Sequence, residues 1–245
     1  MALAGQGAVI VWNDITAEGC DDFFEWHARQ HMPERINLPG FNRGRRCVAV
    51  DASVEFLTLY EVDDVTVLDS EVYRTRLANP TPWSLKVMPH FRNNVRGGCR
   101  VLFTAGPSQG GCIATLRMTS DAARRPGLVD ALVTQMLPAV AGEPRITGAH
   151  LLVNDPALSG GQVGQRQGRF ITQPDVVVVV EGSTVSGVRA AIESHCNERR
   201  LMAAGADAHV VRDTFRQEYS LQKLAHGALP VPADAEGWRT SDAAR

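Results

Sequence analysis

The hydrophobic and polar positions alternate between strand-like and helix-like spacing along the whole chain. Ala8-Val-Ile-Val-Trp12 is a β-rich run, and Thr16-Ala-Glu begins a stretch in which Phe23, Phe24, Trp26 and Ile36 recur at helical spacing. Pro33 has no backbone donor and biases Met32 away from helical geometry, so this helix should end or kink there. Pro39-Gly40 reads as a turn. Residues 46–50 and 55–60 follow as two strands joined by a short polar link, most simply a hairpin. A second helix is predicted over residues 67–77. Pro80 and Pro82 interrupt it, and residues 82–88 resume helically with Pro82 in the first turn. Residues 100–104 close the series as a strand.

After a Gly-rich linker at 105–111, the same order begins again in architecture rather than in letters. Residues 112–118 read as a strand, 128–140 as a helix, 149–153 and 175–181 as strands, 184–204 as a helix and 209–219 as a strand. Two β-α-β-β-α-β series are two ferredoxin-like units. Each leaves one sheet face apolar, and pairing the two sheets within the chain covers both, so the predicted fold is α+β: tandem units forming a pseudo-dimeric α/β barrel. The expected boundaries are 6–105 for the first unit, 111–222 for the second and 226–245 for an irregular, loosely attached tail that Trp238 would pin. Residues 159–168 carry four glycines in ten positions and read as a mobile loop, a lid or a tolerated surface insertion.

Composition is that of an ordinary globular protein, with 44% hydrophobic and 21% charged residues in 245. A net charge of −2 with arginines interspersed among acids argues against a nucleic-acid partner. The longest apolar run, 176–180, is far below the ~20 residues of a spanning helix, which argues against a membrane partner. Five scattered cysteines without C-x-x-C suit reduced thiols, and with no leader-like N-terminus the expected location is cytoplasmic.

The chemistry concentrates between His27 and Arg46. His27 and His31 lie four residues apart and stack on one helix face. A helix ending at Pro33 would place His31 near a C-terminus, whose partial negative charge favours an imidazolium. Acid/base chemistry needs a titratable group, a second group to orient it and something to hold an anion. His31 serves as the first, with His27 or Glu34 as the second. Arg35, Arg43, Arg46 or Arg92 would bind a carboxylate bidentately, with Arg96 a further candidate. Tyr60 and Tyr73 would donate to a developing enolate, while Trp83, Met88 and Phe91 would wall an apolar pocket. Strand alternation prevents Arg45 and Arg46 from both facing that pocket.

These residues are also familiar as a set. Trp26-His27-x-x-x-His31-Met-Pro33-Glu34-Arg35, Leu38-Pro39-Gly40-Phe41, Arg43-Gly-Arg-Arg46, Tyr73 and Pro80-Thr-Pro-Trp83 resemble the EthD-like branch of the dimeric α/β barrel superfamily, above all its uncharacterised tandem members. The resemblance covers residues 6–105 by motif and 111–222 by element order. It implies a ferredoxin-like fold, small organic ligands and a cavity beside His31. Activities in the wider superfamily include lactone isomerases, cofactor-free oxygenases and polyketide cyclases, and some tandem barrels bind haem. No second H-x-x-x-H occurs, so one active site is expected, in the first unit.

The expectation is therefore a cofactor-independent enzyme acting on a small anionic aromatic, lactone or keto-acid-like metabolite, of isomerase, lyase or hydrolase type. Neither a cofactor nor a metal is called for, and two chains could pair as a homodimer. One alternative is a haem- or metal-dependent oxidoreductase on the same barrel. His27, His31 and Glu34 supply metal-ligand chemistry, although the catalytic Glu of H-E-x-x-H is missing. His150 or His195 could serve as a proximal haem ligand. The other alternative is a non-catalytic small-molecule binding protein. A dinucleotide site lacks the strand-to-helix context that gives a glycine pattern meaning.

Overall fold

The computed structural model describes residues 3–159, 171–225 and 227–234. Eight strands close into an antiparallel barrel in the order β1-β3-β2-β8-β5-β7-β6-β4. They are β1 (Gly7–Ile15), β2 (Phe41–Asp51), β3 (Phe56–Val62), β4 (Phe91–Ala105), β5 (Cys112–Met118), β6 (Ile146–Asn154), β7 (Val176–Gly182) and β8 (Val210–Gln222). Each half supplies a ferredoxin-like four-strand set, β4-β1-β3-β2 and β8-β5-β7-β6. The halves join at β2/β8 and β4/β6. The α+β class and the pseudo-dimeric barrel are thus those the pattern predicts. Closure removes sheet edges that would otherwise present unpaired backbone groups.

Alternate residues of each strand point inward. Ile10, Trp12, Leu57, Leu59, Ile113, Val177, Val179 and Phe215 fill the barrel. The outer face of the second half is covered by α5 (Arg125–Ala131), α6 (Leu137–Ala141), α7 (Val185–His195) and α8 (Glu198–Ala204), and Leu128, Leu132, Leu137, Val178, Val180, Ile192 and Leu201 seal it. The first half is covered by α1 (Cys20–Trp26), α2 (Met32–Ile36), α3 (Glu71–Ala78) and α4 (Pro82–Val87). Its apolar residues form two separate clusters, one around Met32, Phe41, Tyr60 and Tyr73 and one around Phe23, Trp26, Phe56 and Trp83.

Several elements differ from expectation. The helix does not stop at Pro33, because a π-helical turn at His27–His31 widens the backbone, and α2 continues to Ile36 with the proline in its first turn. The wider turn relieves the clash of the ring with the preceding carbonyl. A second π-helical turn, Leu132–Met136, precedes Pro138 in the same way and divides the helix expected over 128–140. The helix expected over 184–204 is two, because Asn197 accepts from the Arg200 backbone N–H and starts α8 anew. Ser70 likewise caps α3 at Tyr73, so the helix expected from 67 begins at Glu71 after a 3₁₀ turn, Val65–Asp69. β4 begins nine residues before its predicted start at 100, because its polar stretch through Asn94 hides the alternation.

Gly40, at φ +80°, makes the expected turn into β2. The Gly-rich stretch, apart from Ser159, and Trp238 lie outside the described residues. The described start of the tail is held elsewhere. The Asn37 side chain bonds both backbone groups of Leu229, and the Gln30 amide donates to the carbonyls of Pro232 and Ala233.

Candidate functional site

Between the two apolar clusters of the first half lies a cavity of about 180 Å³, partly open to solvent. Its floor is the outer face of the sheet: Val9 and Val11 of β1, Tyr60 of β3, and Asn94 and Arg96 of β4. Its walls are Trp26, His31, Glu34 and Arg35 from the helical stretch, Tyr73 and Arg76 from α3, and Met88 and Phe91. The backbone makes this possible at Gly44, which pairs with Tyr60 across the β2/β3 ladder. A Cβ there would strike the Met32 sulfur and crowd the Tyr60 ring, so glycine lets α2 settle onto the sheet with His31 at its inner end.

His31 is half-buried and stacks on Trp26, with ring centroids 4.2 Å apart at 28°. Its Nδ1 is buried without a hydrogen-bond partner among the described residues. Burial, and then the charges of Arg35, His27 and Arg76, hold its pKa well below the usual 6.5. This corrects the expectation of an imidazolium at a helix end. The helix continues beyond His31, the ring sits among cations in a poorly solvated site, and the neutral form wins. The Tyr60 hydroxyl is likewise buried and unpartnered, and burial raises its pKa, so it stays a phenol. Two residues with orphaned polar atoms thus line one cavity.

Glu34 pairs with Arg76 at 2.7 Å and more loosely with Arg35 at 3.5 Å. Arg35 also lies over the Tyr73 ring, 5.9 Å from its centroid. Arg96 donates to the Ser159 carbonyl at 2.6 Å and to the Tyr73 hydroxyl at 3.1 Å.

Of the residues singled out in the sequence, His31, Glu34, Arg35, Tyr60, Tyr73, Met88, Phe91 and Arg96 come together around this cavity, and His27, Arg43, Arg46, Trp83 and Arg92 do not. His27 is buried behind it. Its Nδ1 shares a 2.7 Å hydrogen bond with the Tyr219 hydroxyl and its Nε2 lies 3.3 Å from Thr58 Oγ1. Arg43 faces the barrel interior, where it binds Glu61 through two nitrogens at 2.6 and 2.9 Å. Arg46 faces the helices instead, paired with Glu218 at 2.7 Å and packed over the rings of Phe24 and Tyr219. Arg92 is exposed and donates to the carbonyls of Pro89 and Phe91. Trp83 is buried in the neighbouring cluster. Ion pairing explains the misplaced arginines, since each buried guanidinium already has its carboxylate.

Sequence reasoning missed Arg76, Asn94 and the stacking role of Trp26. The alternation of Asn94, Arg96 and Gly98 along β4 carried the signal for the second of these, because residues two apart share a face.

Among the described residues no three His, Cys, Asp or Glu side chains converge as metal ligands, so His27, His31 and Glu34 do not form the metal set their spacing suggested. The two histidines suggested as proximal haem ligands are engaged elsewhere. His150 lies inside the barrel, 2.8 Å from Thr104 Oγ1, and His195 pairs with Glu143 at 2.7 Å. Neither ring borders the cavity, which is below the ~300 Å³ at which pockets for larger ligands begin.

The fold is shared with solved structures of distant sequence. An anthrone oxidase-like protein superposes with a TM-score of 0.62 over 94% of this chain and 99% of its own, at 12% identity. A proposed monooxygenase from Fusobacterium nucleatum gives 0.58 over 93% and 98%, at 6% identity. Another, from Lactobacillus acidophilus, gives 0.54 over 91% and 98%, at 11% identity. No protein-family model and no curated protein matches the sequence. What these comparisons show is the fold, a ferredoxin-like pseudo-dimeric α/β barrel with both halves in one chain. Among the described residues no helix is long and apolar enough to cross a membrane.

Proposed function

We propose that this chain is a cofactor-independent enzyme, akin to the EthD-like branch, that removes or relocates a proton of a small organic anion in an isomerase, lyase or hydrolase reaction. The observation that carries this reading is that two residues with buried, unpartnered polar atoms, His31 at Nδ1 and Tyr60 at its hydroxyl, line one cavity with excess positive charge. A buried polar atom without a partner costs roughly 1–3 kcal/mol, and a ligand oxygen or proton in the cavity would meet both. Neutral His31 is able to accept a proton at neutral pH. An anion bound in the cavity offsets the charges of Arg35 and Arg76 that depress the imidazole, so substrate binding strengthens the base it is about to use. Tyr60, still protonated, donates to the oxyanion as it develops. Glu34 holds Arg76 and Arg35 in place, and His27 supports the turn through Tyr219 and Thr58. The five free thiols suit a reducing cytoplasm.

The test is to incubate the protein with keto acids, lactones and aromatic acids in heavy water and follow deuterium uptake at carbon by NMR. One class should exchange, and His31→Gln should slow that exchange at least ~100-fold while changing ligand affinity little. Binding without exchange in any class would make the protein a carrier. The oxidase-like and monooxygenase descriptions of the neighbours favour a second outcome of the same proton abstraction, in which dioxygen takes up the carbanion; an oxygen electrode separates it from isomerisation.

A further inference from the structure

Building on that reading of the cavity, we infer that its substrate is a single-ring carboxylate bearing a second oxygen, with Arg96 and Asn94 receiving the carboxylate and Tyr60 and His31 the other oxygen. Charge comes first. Three guanidiniums, Arg35, Arg76 and Arg96, line the cavity against one carboxylate, Glu34. Glu34 is engaged by Arg76 and Arg35, whereas Arg96 meets only the neutral Ser159 carbonyl and Tyr73 hydroxyl and no carboxylate among the described residues. A half-buried guanidinium without a counter-charge is the group a substrate carboxylate satisfies best.

The spacing comes from strand register. Val9 pairs with Tyr60 on β3, and Val11 pairs with Arg96 on β4, so the two polar groups rise on opposite sides of β1. Strands two apart lie about 10 Å from each other at the backbone, and side chains leaning inward over Val9 and Val11 leave a gap of one ring with a substituent at each end. The walls are flat and aromatic, with Trp26 stacked on His31 and Phe41 stacked on Tyr73 at 5.6 Å and 26°. The volume agrees. An apolar cavity of about 150 Å³ holds one benzene ring, so 180 Å³ takes one ring with its substituents, and a fused tricycle would protrude into solvent.

Calorimetry on the full chain with the hydroxybenzoate isomers, benzoate, phenol and an anthracene carboxylate tests this. At least one hydroxybenzoate should bind about 10- to 100-fold tighter than phenol, the range expected for one charged hydrogen-bonded contact, and tighter than benzoate. Arg96→Gln should remove the advantage over phenol and leave phenol binding as it was. Tyr73→Phe, which deletes a partner of Arg96 but keeps its charge, should retain the advantage, and this variant guards against a merely misfolded Arg96→Gln. Equal affinity for hydroxybenzoate and phenol, an advantage that survives Arg96→Gln, or tighter binding of the tricycle would each overturn the inference. So would exchange of an acyclic keto acid with no ring compound bound, which leaves His31 chemistry standing. Neither binding nor exchange with any class would remove both.

Discussion

At the scale of single residues, the site is defined by what is left unsatisfied. Tyr60 is 4% exposed and its hydroxyl has no partner, which natural interiors seldom tolerate. Tyr60→Phe removes that orphan while keeping the ring against Phe41. The variant should therefore unfold at a higher temperature, by the equivalent of about 1 kcal/mol, and turn over about 100-fold more slowly. Calorimetric melting and the exchange assay read the two effects, and a loss of stability would mean that the hydroxyl is structurally engaged. The titratable residue itself was legible in the sequence, but its state was not. His31 was expected to be charged by a helix end. Its neutrality comes from Trp26, Arg35 and Arg76, and the last of these is forty-five residues away along the chain.

At the scale of elements, periodicity located the strands and both helical layers, because apolar spacing reports which face is buried. It failed where geometry overrides local preference. Pro33 reads as a stop only while the helix is assumed to keep one pitch, and the π-helical turn before it removes that assumption. The same device before Pro138 shows a shared backbone solution under divergent letters, with His31 matched by Met136 and Glu34 by Ala139. The first nine residues of β4 escaped notice because its outward face there carries Asn94 and Arg96 beside the cavity rather than apolar residues for the core. The seat of α2 on β2 depends on Gly44. Gly44→Ala pushes a methyl group into Met32 and Tyr60, both buried, and should cost about 1–3 kcal/mol in denaturant unfolding. A neutral result would mean that the helix is free to move off the sheet.

At the scale of the whole molecule, the two halves are bound by a charge cluster inside the barrel. Glu61 and Glu181 occupy matching positions of β3 and β7, and Arg45 reaches both, at 3.1 Å and 2.7 Å. Burial works to raise the Glu181 pKa, but the Arg45 charge, with His150 close by, outweighs it and brings it down to about 2. Arg45→Met leaves the buried Glu181 without its guanidinium, while Glu61 keeps Arg43, and should destabilise the protein by about 3–5 kcal/mol, seen as a lower urea midpoint. An unchanged midpoint would show that the pairing is not what holds the halves together. The proposed function is assigned to one half by the same comparison. In the second half, leucine, valine and methionine pack against the helices and Val180 stands where Tyr60 stands in the first, while an open cleft between α7 and the sheet is lined by Arg189, Glu193 and Arg212.

The central claim is a neutral imidazole poised in a cationic cavity, and an NMR titration of the His31 ring nitrogens tests it most directly. In the free protein the ring should stay neutral down to well below pH 6.5, and a bound carboxylate should shift its titration upward. A ring that titrates near 6.5 and does not respond to the carboxylate would contradict the account.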